Sequence, residues 1–226
     1  MSWIIHIDTA LETASVSIAV DGKLVAEKMS ATQKDHASFL QPSIAELLDV
    51  ANISIKQLDA VAVVDGPGSY TGLRVGMASA KGLCYALNKP LITIGSLQIM
   101  AANAIEQLQK NNDAIFYCPM IDARRMEVFT AVYNQQMIEI EAPCAIELSE
   151  DLFASRMLKN RLYFFGNGAL KWELICRNEN AHFISLENNS MIVSVLAYQK
   201  LIKKEFANLA YSEPAYIKDF FSSLNS

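Results

Sequence analysis

Histidine and cysteine are scarce in this chain, three and four among 226 residues, and neither is clustered. Cys84, Cys118, Cys144 and Cys176 lie far apart with no Cys-x-x-Cys pair, which removes zinc-ribbon and thioredoxin-like chemistry. No His-Glu-x-x-His run is present to hold a catalytic metal on a helix, and no Gly-x-Ser-x-Gly elbow presents a nucleophile. Positive charge is also thin. Nineteen Lys and Arg against 24 Asp and Glu give a net charge of −5, with no basic run. Sequence-independent nucleic-acid affinity comes mainly from neutralising phosphates, so the chain alone is expected to bind RNA poorly. The most apolar region, residues 90–104, is broken by Thr93, Gly95, Ser96, Gln98 and Asn103, too short and too polar to span a bilayer. The N-terminus carries no basic leader, so free thiols in a reducing cytoplasm and no membrane association are the expectation.

What is present is apolar, 52% of residues, enough for a real core. The most informative stretch is Asp65-Gly66-Pro67-Gly68-Ser69-Tyr70-Thr71-Gly72-Leu73-Arg74-Val75-Gly76, directly after the apolar run Ala60–Val64. It reads as a buried strand, a tight glycine turn and a helix. Gly66 and Gly68 permit positive φ or close approach of another backbone or a phosphate. Pro67 stiffens the turn, and Ser69 or Thr71 is placed to cap the helix. Such a helix start has free amides for an anion; a plain strand-to-helix turn is the competing reading. No Gly-Lys-Ser/Thr closes the loop, and the spacing is not that of a dinucleotide fingerprint.

Strands are predicted over 3–9, 14–20 and 23–29, the last two joined by the two-residue turn Asp21-Gly22. A helix follows, with Ala37, Leu40, Ile44 and Leu47 on one stripe, Asp35 as its N-cap and Pro42 imposing a kink or a late start. Then come strand 60–64, helix 70–87 and strand 91–94. The order repeats: strands 115–121, 127–133 and 136–141, a helix 149–158 capped by Ser149, strand 161–165 ending in Gly166-Asn167-Gly168, and a helix 190–204. The chain is thus read as an α/β protein with a duplicated βββαβα plan. The hinge is placed near 102–112, with a first lobe 1–106 and a second 107–226 whose tail after Ser212 packs back on the first.

These motifs together resemble the TsaB (YeaZ) family of the actin-like (ASKHA) superfamily. The resemblance rests on the Gly66–Gly76 run and on Ile121-Asp122-Ala123-Arg124-Arg125-Met126-Glu127-Val128. It is extended by Ile7–Ala10, Asp35–Pro42 and Glu213–Lys218. It implies two lobes with mixed sheets and a cleft faced by Asp8, Asp122 and both glycine turns. Cofactor contacts are then expected at Asp8, Gly66, Pro67, Gly68, Ser69, Gly166, Asn167 and Gly168. For Asp8 and Asp122 the competing reading is strand-end turn stabilisation. The resemblance implies no catalytic residue in the chain itself. In TsaD, the catalytic paralogue, a His-x-x-x-His pair binds metal; aligned from Pro90, those positions fall here on Ser96 and Met100, so no metal is expected. Of the histidines, His36 beside Asp35 has no assigned role. His6 reads as packed in a strand and His182 as a strand-edge residue.

The family further implies a non-catalytic activating subunit that helps to place a threonylcarbamoyl group on N6 of an adenosine next to the tRNA anticodon. Its partners would be TsaD and the ATPase TsaE, with a homodimer when alone, tRNA reached only through the complex, and no cofactor required beyond weak ATP or ADP binding. The rival reading is a stand-alone phosphotransferase or glycoprotease-like peptidase. Gly72, Gly76, Ala80 and Cys84 recur every four residues, and small residues let helices approach closely. That row and the Ala37–Leu40–Ile44–Leu47 stripe are the expected partner interface, against burial within the lobe as the alternative.

Overall fold

The computed structural model describes residues 1–30, 36–109, 114–187 and 189–217. Two compact units form, one from Met1–Ile99 with Asn188–Ala215 and one from Met100–Glu187 with the chain's end from Tyr216. In the first, β1 (Trp3–Asp8), β2 (Ser15–Val20) and β3 (Lys23–Met29) make an antiparallel meander, and β4 (Leu58–Gly66) and β5 (Leu91–Gly95) add in parallel. The sheet order is β3-β2-β1-β4-β5. The second unit repeats this with β6 (Ile115–Asp122), β7 (Glu127–Asn134), β8 (Glu139–Glu147), β9 (Arg161–Phe165) and β10 (Ala181–Phe183), ordered β10-β9-β6-β7-β8. The duplicated mixed-sheet α/β plan expected from the sequence is present, with β10 added at the edge of the second sheet beyond the four strands expected there.

Period-two alternation decides what covers each face. In the first unit Ile5, Ile7, Val61 and Val63 share a core with Leu40, Ile44 and Leu47 of α1 (His36–Val50) and Met77, Ala80 and Cys84 of α2 (Tyr70–Leu87). The alternate positions Ile4, Ala60, Ala62, Ile92 and Ile94 pack on α6 (Met191–Lys203) through Ala197, Val193 and Leu196. In the second unit, α3 (Ser96–Leu108) lays Ala104, Ile105 and Leu108 on Ile115, Tyr117, Tyr163 and Phe165. The opposite face holds Phe164 and Trp172, ring centroids 4.5 Å apart, with α4 (Ala154–Met157) and α5 (Ala169–Glu173).

Several elements differ from expectation. The units divide between Ile99 and Met100, inside α3, and α6 belongs with the first unit, whereas the sequence reading divided the chain at 106/107. An amphipathic stripe says that a helix covers a sheet, not which sheet. Strand β8 starts at Glu139, not 136, because Asn134 accepts from the amides of Gln136 and Ile138 and closes a turn with Met137 in left-handed backbone. The helix expected over 149–158 shrinks to Ala154–Met157, since Phe153 has φ +59 and interrupts it. Helix α1 starts at His36 and runs through Pro42, which lies on its exposed side; the Asp35 cap and the side chains of His36 and Ala37 lie outside the described residues. His182 lies in β10, stacked on Tyr163.

Candidate functional site

The glycine loop is built onto the end of β1. Ser69 caps α2, its Oγ accepting from Gly72 N–H at 3.3 Å and its carbonyl from Leu73 N–H at 2.8 Å. The Ser69 N–H itself donates to the Ala10 carbonyl at 2.6 Å, and Thr9 Oγ1 donates to the Gly72 carbonyl at 2.7 Å. The glycines follow from this closeness. A Cβ on Gly68 would lie within 3 Å of the Ala10 carbonyl, one on Gly72 within 3 Å of the Thr9 carbonyl, and one on Gly76 within 3 Å of Thr9 Oγ1. Gly66 has φ +119, a conformation glycine adopts freely, and precedes Pro67 through a cis peptide. Asp8 Oδ1 accepts from Ala10 N–H at 2.9 Å, the strand-end role weighed above.

A second turn copies the first at the end of β6. Gly166 has φ +98, and a Cβ on Gly168 would lie 2.8 Å from Val128 and 2.9 Å from the Ile121 carbonyl carbon. Gly168 N–H donates to the Met120 carbonyl at 3.0 Å, and Asn167 Oδ1 accepts from Asp122 N–H at 2.9 Å. Asp122 Oδ1 accepts from Arg124 N–H at 2.6 Å, as Asp8 does from Ala10, and from Lys171 Nζ at 2.5 Å. Partial burial opposes ionisation of Asp122. The Lys171 hydrogen bond, the Arg124 amide and the Lys171 charge outweigh it and hold the carboxyl below its ordinary value.

The two small and apolar rows expected to face a partner lie inside the first unit's own core: Leu40, Ile44, Leu47, Gly72, Gly76, Ala80 and Cys84 are all buried. Their spacing is real, but its physical reason is the close seating of α2 on β1 and of α1 on α2. The face of α2 turned outward carries Thr71, Arg74, Ala78, Gly82 and Tyr85, the last 83% exposed. A Cβ on Gly82 meets nothing within 4 Å. Arg74 stacks on the Tyr70 ring at 3.9 Å, and Lys81 Nζ ties the segment after α6 to α2 through the carbonyls of Ala210 and Ser212.

Among the described residues, no group of three or more His, Cys, Asp or Glu side chains gathers as metal ligands, and no helix is long and apolar enough to cross a membrane. Ser96 is buried and Met100 packs beside Ala104 and Tyr163. Sequence reasoning missed Thr9, Lys171 and Asp65. The half-buried Asp65 carboxyl ends β4; burial raises its pKa, against a hydrogen bond from Thr93 and the charge of Lys200. Only the polar residue at a strand end signalled any of these.

The model of the family described as TsaD: tRNA N6-adenosine threonylcarbamoyltransferase matches residues 30–219. The tRNA threonylcarbamoyladenosine biosynthesis protein TsaB of Haemophilus influenzae is 36% identical over 226 residues, covering 96% of this chain and 93% of that one. The proteins of the same description from Bacillus subtilis and Escherichia coli are 32% and 33% identical over 58% of this chain. The chain spans only about half their length, 55% of each. Of solved structures, YeaZ from Pseudomonas aeruginosa is 25% identical with a TM-score of 0.75, over 96% of this chain and all of that one. A second Pseudomonas aeruginosa structure, of a protein with similarity to peptidase YeaZ, shares the fold at TM-score 0.81 and 23% identity, with the same coverage.

Proposed function

Because this chain belongs to the TsaB (YeaZ) family of the actin-like superfamily, we propose that it serves tRNA threonylcarbamoyladenosine formation as a non-catalytic activating subunit. It acts with TsaD, which carries the metal and the chemistry, and with the ATPase TsaE; the isolated chain pairs with itself and meets tRNA only through the complex. The observation that carries this reading is the use made of the glycine loop. Its Ser69 amide, the Ser69 hydroxyl and the Gly72 carbonyl are all spent on fixing α2 to β1. A loop engaged in this way holds nucleotide weakly, and what it accomplishes is to seat a helix whose outer face stays exposed. Seating a helix rigidly lowers the ordering cost of docking. Asp8 and Asp122 likewise brace turns at the ends of β1 and β6.

The docking face in this reading is Thr71, Ala78, Gly82 and Tyr85, with Arg74 at its edge. Enlarging small positions at a close helix contact costs about 1–3 kcal/mol, a tenfold or greater loss of affinity. Ala78→Arg and Gly82→Trp sit where substitution leaves the core intact, so both should yield folded chains that no longer co-purify with TsaD. Modified tRNA, measured by nucleoside mass spectrometry in a reconstituted reaction, should fall with them. Folded variants that lose the complex yet support full modification would overturn the subunit role.

A further inference from the structure

The second sheet is covered less fully than the first. In the first unit α1 packs Leu40, Ile44 and Leu47 into one core with Val16 and Ile18 of β2 and Ala26 of β3. The equivalent strands of the second unit, β7 and β8, turn Val128, Val132 and Ile146 to a core of the same kind, but α4 has four residues and buries only Met157. What α4 leaves uncovered is a cleft of about 410 Å3 between it and β8, lined by Ile146, Leu152 and Phe153 together with Glu141, Ser155 and Arg156. That is the size of a small-molecule site, roughly 300–1,000 Å3.

Two opposite charges meet in its wall. Arg156 and Glu141 form an ion pair, with side chains 24% and 40% exposed. The guanidinium also lies over the Phe116 ring, 5.4 Å from its centroid. Asn160 Nδ2 fixes the backbone beneath it by donating to the Arg156 carbonyl at 2.9 Å. Arg156 Nε is buried without a hydrogen-bond partner among the described residues, and a buried donor in that state calls for an explanation. Phe153 has φ +59, a left-handed backbone that bulky residues rarely adopt. Ring contacts with Phe164 and Trp172, centroids 5.6 and 5.9 Å away, hold it there. Backbone strain of this kind gathers at ligand clamps.

We propose that this cleft binds a free α-amino acid with an apolar side chain. A lone anion would meet Glu141 and a lone cation would meet Arg156, so a ligand of single charge is opposed whatever its sign. The two heads touch each other, so the ligand's charges must be adjacent as well. The ammonium and carboxylate of an α-amino acid are adjacent; the two ends of a peptide are not. One Arg156 nitrogen and one Glu141 oxygen make the pair. A guanidinium has five N–H donors and a carboxylate two oxygens, so each can take a further charge-assisted bond. The ligand carboxylate then rests on Arg156, its ammonium on Glu141 and its side chain on Ile146, Leu152 and Phe153. The site stands apart from the subunit role and needs only the isolated chain.

An NMR titration of the isotope-labelled full chain tests this. The probes are leucine and phenylalanine, with 4-methylpentanoate and 3-methylbutylamine, which keep the leucine skeleton but lack the ammonium or the carboxylate. At least one amino acid should saturate with a Kd of about 1 mM or tighter, shifting amides within 139–147 and 152–160. Each truncated analogue should bind at least tenfold more weakly. Glu141→Gln should lose at least tenfold for the amino acid yet bind 4-methylpentanoate as well as the wild type or better, a split that general loss of structure would not produce. Arg156→Gln should lose both ligands, and Glu141→Gln carries the test if that variant does not fold. The proposal is overturned if neither amino acid saturates by about 10 mM, if an analogue binds as tightly as the amino acid, if the shifts lie outside the cleft, or if Glu141→Gln keeps wild-type affinity.

Discussion

Helix α2 contains glycines whose replacement should have opposite signs. At Gly82 an added methyl meets nothing within 4 Å, so Gly82→Ala gains the difference in helix propensity, about 0.8–1 kcal/mol. For a chain of this size that raises the melting temperature by about 2–4 °C. At Gly72 the same methyl would drive into the Thr9 carbonyl and disturb the Thr9–Gly72 hydrogen bond. Overpacking costs about 1–3 kcal/mol and the hydrogen bond about 1 kcal/mol. After the same propensity gain, Gly72→Ala should lose about 2 kcal/mol, a fall of roughly 4–8 °C. Gly76 separates the mechanisms, because its obstacle is the Thr9 hydroxyl and not the backbone. Thr9→Ala should therefore rescue Gly76→Ala and leave Gly72→Ala unrescued. Thermal and urea denaturation of the single and double variants reads all of this. If Gly72→Ala melts at or above the wild type, or Thr9→Ala rescues both alike, the account of why this loop needs glycine is wrong.

His6 is buried, with Nδ1 3.2 Å from Ser17 Oγ and Nε2 lacking a partner. Burial lowers its pKa to about 4, against a smaller raising effect of the Ser17 carbonyl. A depressed folded pKa means stability fully present above about pH 6.5 and lost as pH falls toward 4, by about 3 kcal/mol in all; urea midpoints across that range should show the loss, and His6→Leu should flatten it. The Asp122–Lys171 pair is partly exposed, so Asp122→Asn should shift stability by no more than about 1 kcal/mol, and a collapse of the second unit by circular dichroism would show that the turn bears more. Elemental analysis of a native preparation should find far less than one zinc or iron per chain, given Ser96 and Met100 at the expected ligand positions; about one tightly held metal would refute this. Magnesium-dependent ATP hydrolysis by the isolated chain should be negligible, and sustained turnover abolished by Asp8→Ala would favour the phosphotransferase reading.

Local signals in the sequence marked the elements well. Asp21-Gly22 supplied a left-handed pair, φ +49 and +76, and the hairpin forms there. Ser69 was one of two candidate caps and caps α2. What local pattern could not convey was direction. The Gly72–Cys84 row has the spacing of a helix–helix seam, and the same spacing serves a helix seated on a strand end, which is where Thr9 places it. The two glycine turns were legible in the sequence because each follows an apolar strand, β4 and β9, that pairs in parallel. Their hydrogen bonds were not, since these depend on Ala10 and Met120 carbonyls that carry no mark in the sequence. Arg124 and Arg125 stood inside a quoted motif, yet their left-handed backbone is invisible without coordinates.

The duplication also explains why the boundary was misplaced. Each half, read along the chain, ends in a helix that leaves its own sheet. After the strands of the first half, α3 continues past Met100 to cover Ile115, Tyr117 and Phe165 of the second. After those of the second, α6 covers Ile4, Ala60, Ala62, Ile92 and Ile94 of the first. Without α6, one face of the first sheet would lie bare, and each isoleucine left in water forfeits about 1.5–3 kcal/mol. With three isoleucines on that face, the loss is comparable to the whole stability of an ordinary domain, about 5–15 kcal/mol. A half cut from the chain is therefore not a domain, although its sequence looks like one. The exchange of terminal helices makes each sheet depend on a helix from the other half of the sequence for one covered face.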